Sequence, residues 1–297
     1  MSYFSNNPIF KEVIITVANG LKKNPILIEK DLVQSFILLE LSKSDLPLVF
    51  KGGTSLSKVH NLIDRFSEDI DLSASRKVTN LEKRQIKELI INSSNKYNLK
   101  LLNKESIKTR YDYNLYKLEY LSIIYNTKVN ILIETSFYAS SYPTNQTKIG
   151  NYISRFCNSN KICLPIKNEA LDFKFQTQSL ERTFIDKVFA VCDYFIANMA
   201  DRDSRHLYDI AKIIKCVNLD DNLRKLIVEV RNDRKKSKNN PSANDIYDIN
   251  DLLKEIIESR FYEFDYNNIT RKLMYENYSY DDCINNGIRI VLNSKIF

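Results

Sequence analysis

Between residues 25 and 41, the apolar side chains Leu27, Ile28, Leu32, Phe36 and Leu39 recur near a 3.6-residue period and predict a helix. Pro47-Leu-Val-Phe50 reads as a short buried strand running into Lys51-Gly52-Gly53. From Thr54 a second helix is predicted, capped by Thr54 or Ser55, with Leu56, Val59, Ile63 and Phe66 along one face. A strand follows at Glu68-Asp-Ile-Asp-Leu-Ser73. Residues 81–97 predict another helix, and 113–124 and 128–135 predict strands. After Pro165 the pattern changes to helices at 178–199, 205–217 and 223–231, with the polar run 234–245 read as a flexible loop. The pattern predicts an α+β chain: a mixed-sheet lobe with N-terminal helices over residues 1–170, and a mainly helical lobe over 171–297.

Length and composition fit this division. At 297 residues the chain has room for two ordinary domains, and its 43% hydrophobic content supports packed cores. The first residues lack the charged start and apolar run of a secretory signal, so a cytoplasmic protein is expected. No apolar run approaches the roughly 20 residues that span a bilayer, and no membrane role is expected. Cys157, Cys163, Cys192, Cys216 and Cys283 include no C-x-x-C pair and read as reduced structural thiols. The net charge of +7 leans toward an anionic partner such as nucleotide or RNA.

Three features carry chemistry. The chain has only five Gly, and two of them, Gly52 and Gly53, are adjacent at a strand-to-helix turn. Such a turn permits positive φ and close approach to a phosphate, with Thr54 and Ser55 able to add hydroxyl contacts; a tight connection without a ligand is the plainer alternative. In Glu68-Asp69-Ile70-Asp71-Leu72 the two-residue strand period sends Ile70 and Leu72 to one face and Asp69 and Asp71 to the other. Two carboxylates on neighbouring same-face positions repel, and a cation such as Mg²⁺ or Mn²⁺ is the usual remedy, unless both lie in water on an edge strand. In Val129-Asn-Ile-Leu-Ile-Glu134, the β-branched residues fill one face and leave Glu134 on the opposite one, either as a third metal ligand or as an ordinary solvent-facing acid.

Lys51-Gly-Gly-Thr-Ser-Leu-Ser-Lys58 followed by Arg65-Phe-Ser-Glu-Asp-Ile-Asp-Leu72 resembles the AbiEii/AbiGii toxin family, within the DNA polymerase β-like nucleotidyltransferase superfamily. Ile28-Glu-Lys-Asp31, Glu181-Arg-Thr-Phe-Ile-Asp-Lys187 and Arg202-Asp-Ser-Arg-His-Leu-Tyr-Asp209 agree in the right order. The resemblance implies a polymerase β-like lobe with a mixed sheet plus a helical lobe contributing Lys187 and Asp209. Gly52, Gly53, Thr54, Ser55, Lys58 and Lys187 would bind nucleotide, and Asp69, Asp71 and Glu134 the metal. Independently of it, Lys187 lies at the margin of the apolar stripe Phe184, Val188, Val191, Phe195, where it either meets a phosphate, snorkels, or pairs with Glu181 or Asp186. Arg202, Arg205, His206 and Asp209 fall on one helical face if the helix extends back to Arg202. His206 reads as an orienting residue, and Asp209 could orient Lys187 or act on the attacking hydroxyl.

The expected reaction moves a nucleoside monophosphate from an NTP to an acceptor hydroxyl with release of pyrophosphate. It needs mainly positioning and charge neutralisation, not a covalent nucleophile. By resemblance the acceptor would be the 3′ end of tRNA, the consequence blocked translation, and a cognate antitoxin would relieve the arrest. Tyr and Phe of the helical lobe could stack a terminal base. An antibiotic-modifying type of nucleotidyltransferase and a non-catalytic GTP-binding module share the same features. Residues 218–297 show no diagnostic motif.

Overall fold

The computed structural model describes residues 8–65, 67, 69–108, 110–162, 169–201 and 203–297, and within it the chain divides into two units. The first unit comprises Met1–His60 and Ser67–Gln178. After α1 (Pro8–Leu21), α2 (Pro25–Ser42) starts sharply, because the Asn24 side chain accepts the Ile26 N–H at 3.0 Å and Pro25 takes a position that needs no donor. The helix is buried almost all round, polar residues included, which makes it a core helix rather than a half-wet surface one. Its buried Glu29 accepts from Ser122 Oγ at 2.6 Å and from the Ile123 N–H at 2.8 Å, while burial pushes its carboxyl up from the ordinary range.

The sheet follows from β1 (Leu48–Lys51), β2 (Asp69–Ala74), β3 (Lys100–Leu101), β4 (Tyr113–Leu121), β5 (Lys128–Ser136), β6 (Thr144–Ile149) and β7 (Phe173–Gln178). Their order is β3-β4-β5-β2-β1-β7-β6, with β2/β5 and β1/β7 parallel and the other pairs antiparallel. Three helices complete the unit: α3 (Gly52–Lys58), α4 (Asn80–Lys96) and α5 (Tyr152–Asn160). Strand alternation sends Ile70, Leu72, Ile131 and Ile133 into one apolar cluster with Ile28, Leu32 and Phe36 of α2 and Ile86 and Ile90 of α4. The opposite face of β2 and β5 stays half-open, and Asp69, Asp71 and Glu134 lie on it.

Two expectations need correction, and two strands are additions. The helix predicted through Phe66 stops at Lys58: Asn61 adopts a left-handed φ of 52°, and Asn61–Phe66 clusters with the second unit. β6 and β7 had no predicted counterpart, because β6 is a largely exposed edge strand of polar residues with no apolar alternation. The run 234–245 is not a flexible loop. The N–H and Oγ of Ser242 donate to Asp193 Oδ1 at 2.8 and 2.6 Å, and Arg234 Nη2 donates to Asp193 Oδ2 at 2.5 Å.

The second unit comprises Asn61–Phe66 and Ser179–Phe297. It is helical: α6 (Leu180–Ile196), α7 (Arg205–Ile213), α8 (Asp221–Arg234), α9 (Ile249–Ser259), α10 (Glu263–Asn268), α11 (Tyr280–Cys283) and α12 (Arg289–Ser294). α6 is capped by Ser179, which accepts the Arg182 N–H at 3.2 Å, and buries Phe184, Ile185, Val188, Phe189 and Val191. The early residues 61–65 are fastened through the Asp64 backbone. Asp64 donates its N–H to Tyr208 Oη at 2.9 Å, and Tyr275 donates its own to Asp64 O at 2.9 Å. Among the described residues no helix is long and apolar enough to cross a membrane. Cys157, Cys192, Cys216 and Cys283 are free thiols, and burial pushes the Cys283 thiol up to about 12; Cys163 lies outside the described residues.

Candidate active site

In the first unit the acids are gathered by register. Asp71 is the Cα partner of Glu134 on parallel β5 and of Lys51 on antiparallel β1, so three charged side chains occupy one rung, with Asp69 two residues back on the same face. Gly52 follows Lys51 with φ +76°, and a Cβ built there would overlap the Asp71 carboxylate. The first glycine of the turn thus makes room for an acid as well as supplying the left-handed conformation. Tyr113, which carried no sequence signal beyond strand alternation, stands on this face. Partial burial, then the Glu134 carboxylate that it hydrogen-bonds, then Asp71 and Asp69 raise its phenol to about 12. All three acids therefore act on one hydroxyl.

In the second unit, α6 supplies Lys187, α7 supplies Arg205, His206 and Asp209, and the segment 61–66 supplies Arg65. Asp209, fully buried, is gripped by both its oxygens: Arg65 Nε donates to Oδ1 and Nη2 to Oδ2, each at 2.7 Å, and Lys187 Nζ meets Oδ2 at 2.6 Å. Burial works against this carboxylate, but Arg65 and Lys187 hold it well below the usual range. Lys187 is itself 5% exposed, and burial pushes its ammonium down while Asp209 supports it. His206 Nδ1 lies 3.3 Å from Lys187 Nζ, and the ring stacks on Tyr194 with centroids 6.1 Å apart and planes 7° from parallel. Burial, and then repulsion from Lys187, push the imidazole well below its ordinary value, so Nδ1 of the neutral ring accepts from the ammonium. Arg202 lies outside the described residues.

The geometry separates residues that the sequence grouped together. Lys58 is buried, and its Nζ donates to Asp31 O at 2.7 Å, Asp31 Oδ1 at 2.5 Å and Ser35 Oγ at 3.0 Å. Three protein acceptors use all its protons in this structure. Thr54 and Ser55 are buried as well. Thr54 Oγ1 bonds Ser67 Oγ at 2.9 Å and the Asp69 carbonyl, and Ser55 Oγ donates to Gly52 O at 2.8 Å. Both hydroxyls brace the turn and the start of β2. Arg65 is the residue the sequence reading left unassigned. Its position four residues before Asp69, inside the quoted motif, was the available signal.

Residues of the right kind for a divalent ion stand together on the first unit's open face: all-oxygen carboxylate donors, a register pair, and a glycine whose absent side chain leaves Asp71 its place. Among the described residues no three His, Cys, Asp or Glu side chains are grouped closely enough to hold a metal ion, so Asp69, Asp71 and Glu134 would have to draw together around one. The donor chemistry fits a hard, oxygen-seeking cation that keeps water and phosphate ligands of its own.

A mixed sheet with paired aspartates behind a glycine turn is the arrangement of a nucleotidyltransferase. The sequence profile described as "Nucleotidyl transferase AbiEii toxin, Type IV TA system" matches residues 37–286, and the chain belongs to this family. A comparison with curated proteins found no match. Among solved structures, a candidate nucleotidyltransferase from H. pylori aligns at TM-score 0.50 and 16% identity, covering 92% of this chain and 97% of that one. MenT4, a nucleotidyltransferase toxin from Mycobacterium tuberculosis, aligns at TM-score 0.46 and 17% identity, over 83% of this chain and 72% of the other.

Proposed function

We propose that this toxin-family nucleotidyltransferase moves a nucleoside monophosphate from an NTP to the terminal hydroxyl of an RNA, with the tRNA 3′ end as its acceptor, and thereby arrests growth until a cognate antitoxin intervenes. The observation that carries the reading is the Asp71–Glu134 rung with the Asp71 carboxylate seated over Gly52. Asp69, Asp71 and Glu134 would hold Mg²⁺ or Mn²⁺, which when bound neutralises phosphate charge and favours the attacking oxygen. Tyr113 keeps Glu134 oriented. Gly52 and Gly53 fix the turn that presents Asp71. In the second unit Lys187 offers an ammonium to an anion, and the triphosphate is the anion this chemistry brings. Asp209 serves as a positioning residue: both its oxygens are taken, and so low-lying a carboxyl is a poor base for a hydroxyl proton.

The test is pyrophosphate release and label transfer with each of the four NTPs, with and without total tRNA. The wild type should label tRNA 3′ ends, and Asp71→Asn should not while remaining folded. Full activity of Asp71→Asn, or of the wild type in excess EDTA, would defeat the metal-site assignment. Growth arrest with unaltered tRNA 3′ ends would remove tRNA as acceptor, and transfer to a small hydroxylated molecule instead would place the chain with the antibiotic-modifying type.

A further inference from the structure

Just beyond the rung that carries Tyr113, the two strands continue to pair. Tyr113 is the Cα partner of Ser136, and the Phe137 N–H donates to Asp112 O at 2.8 Å, one position further. Tyr111 and Tyr138 flank this bond, one on each strand end, and they are 49% and 64% exposed. A single exposed ring is ordinary on a protein surface; here two stand at one end of a strand pair beside exposed cationic side chains. The Arg110 guanidinium lies over the Tyr111 ring, 5.5 Å from its centroid, and Lys108 and Arg110 are both exposed.

Ile107, Lys108 and Asp112, beside these side chains, are each held by a partner. The buried Asn114 side chain bonds both polar groups of Lys108, accepting its N–H at 2.8 Å and donating to its carbonyl at 3.2 Å. Lys87 Nζ donates to Ile107 O at 3.0 Å, and Lys83 Nζ meets Asp112 Oδ1 at 2.6 Å. Two helix lysines and a core asparagine thus hold Ile107, Lys108 and Asp112, with the exposed Arg110 and Tyr111 next to them and Tyr138 on the paired strand end. The combination of exposed aromatic faces, an arginine plane and positive charge is the chemistry that receives unpaired bases with their phosphates.

We propose that Tyr111 and Tyr138, with Arg110, form a stacking platform for the unpaired terminal bases of the RNA acceptor, on the same strand ends that carry Tyr113 and, two residues from Ser136, Glu134. The inference deepens the proposed function and rests on its RNA acceptor. It moves base stacking from the helical lobe, where the aromatic content had suggested it, to the sheet. The occupant is single-stranded because a stacked face is available only to a base that has left its own helix. Lys108 and Arg110 supply charge complementary to its backbone, and this part of the affinity falls with salt.

The chain contains no Trp, so Tyr138→Trp gives a protein with a single indole reporter at the platform that keeps an aromatic face. An oligoribonucleotide with an unpaired 3′ end should quench it, while a blunt RNA duplex or an NTP alone should not. In transfer assays Tyr111→Ala and Tyr138→Ala should each raise KM for tRNA about tenfold and leave KM for NTP near the wild-type value, with Tyr111→Phe and Tyr138→Phe restoring both. Quenching by NTP alone, or equally by blunt duplex, would overturn the proposal, as would alanine variants with unchanged KM for tRNA. Quenching by single strand in a protein that labels no RNA would leave the platform standing and sink the transfer reading. Transfer to tRNA without any quenching would do the reverse.

Discussion

Two of the buried lysines teach different things. Lys58 in the first unit and Lys187 in the second are almost wholly removed from water, each contacts an aspartate, and burial pushes the ammonium of each down. Around Lys58 one aspartate serves one lysine, and the nearby Arg155 adds only the smallest of the influences on it. Asp31 gives it a carbonyl and a carboxylate oxygen, Ser35 completes the set, and the other Asp31 oxygen takes the Tyr152 N–H at 2.7 Å. Around Lys187 the positive charges outnumber the acid. Asp209 is shared with Arg65, Arg205 adds further repulsion, and His206 contributes a neutral acceptor. A buried lysine with a private counter-ion is a structural strut, whereas one in a cluster with surplus positive charge is suited to an anion. Burial does not tell the two apart. Charge balance does.

The sharpest break of this comparison is Lys58→Met. It removes the ammonium and leaves the Asp31 carboxylate buried with its main counter-charge gone, so the protein should lose about 3–5 kcal/mol, read by urea denaturation. Equal stability of Lys58→Met and wild type would show that the first cage is not a strut. Lys187→Met should do the opposite. Asp209 keeps both Arg65 bonds, so the loss of stability should be at most about half as large. Transfer activity should fall about a hundredfold, since a charge-assisted phosphate contact is worth about 3 kcal/mol. An inactive Lys58→Met that is fully stable, beside an active Lys187→Met, would invert the assignment.

How much of this could be read along the chain follows from what each residue answers to. The acids were legible because strand alternation is local: Ile70 and Leu72 inward place Asp69 and Asp71 outward, and Ile131 and Ile133 do the same for Glu134. The apolar stripe of α6 placed Lys187 for the same reason. The cage around Lys58 was not legible because the lysine follows the glycine turn in sequence while its partners, Asp31 and Ser35, stand on α2, upstream of β1. Arg65 was missed because its counter-ion is 144 positions away. Tyr113 needed the β4/β5 register, which no local pattern states.

Arg65 sharpens the comparison at a smaller scale. If its fork is what frees Lys187 from being the only partner of Asp209, then Arg65→Lys, which keeps the charge but cannot bond both oxygens, should cost about 1–3 kcal/mol. Activity should drop less than in Lys187→Met, with the Arg65→Lys defect mainly in KM for NTP as Lys187 turns toward Asp209. An unchanged KM for NTP together with a fully stable protein would mean that the fork does not position Lys187.

The smallest effect expected separates the two cages by pH. His206 belongs to the second cage alone, and its folded-state value lies below the ordinary 6.5, so its neutral form is the one the fold prefers. The sign follows from linkage. Stability from the neutral ring is fully present above about 6.5 and is lost as pH falls from there toward the depressed value, by at most about 1.4 kcal/mol per pH unit. The groups facing the ring all weigh on it: Lys187 from α6, Arg65 from the early segment and Arg205 from α7 oppose its protonation, and Asp209 favours it. Asp203, 3.9 Å from Nε2, is the remaining nearby acid. Asp209 titrates in a separate window. Its stabilising charge persists down through the ordinary carboxylate range near 3.8 and is lost only below it. His206→Asn keeps a side-chain acceptor but has no proton to gain, so its urea midpoints should be flatter than those of the wild type between pH 6.5 and 5, with the curves converging above pH 7. The only other histidine, His60, is common to both proteins and cancels in the comparison. Parallel curves across that range would show that His206 titrates alike in the folded and unfolded chain, and that the second cage does not hold the ring neutral.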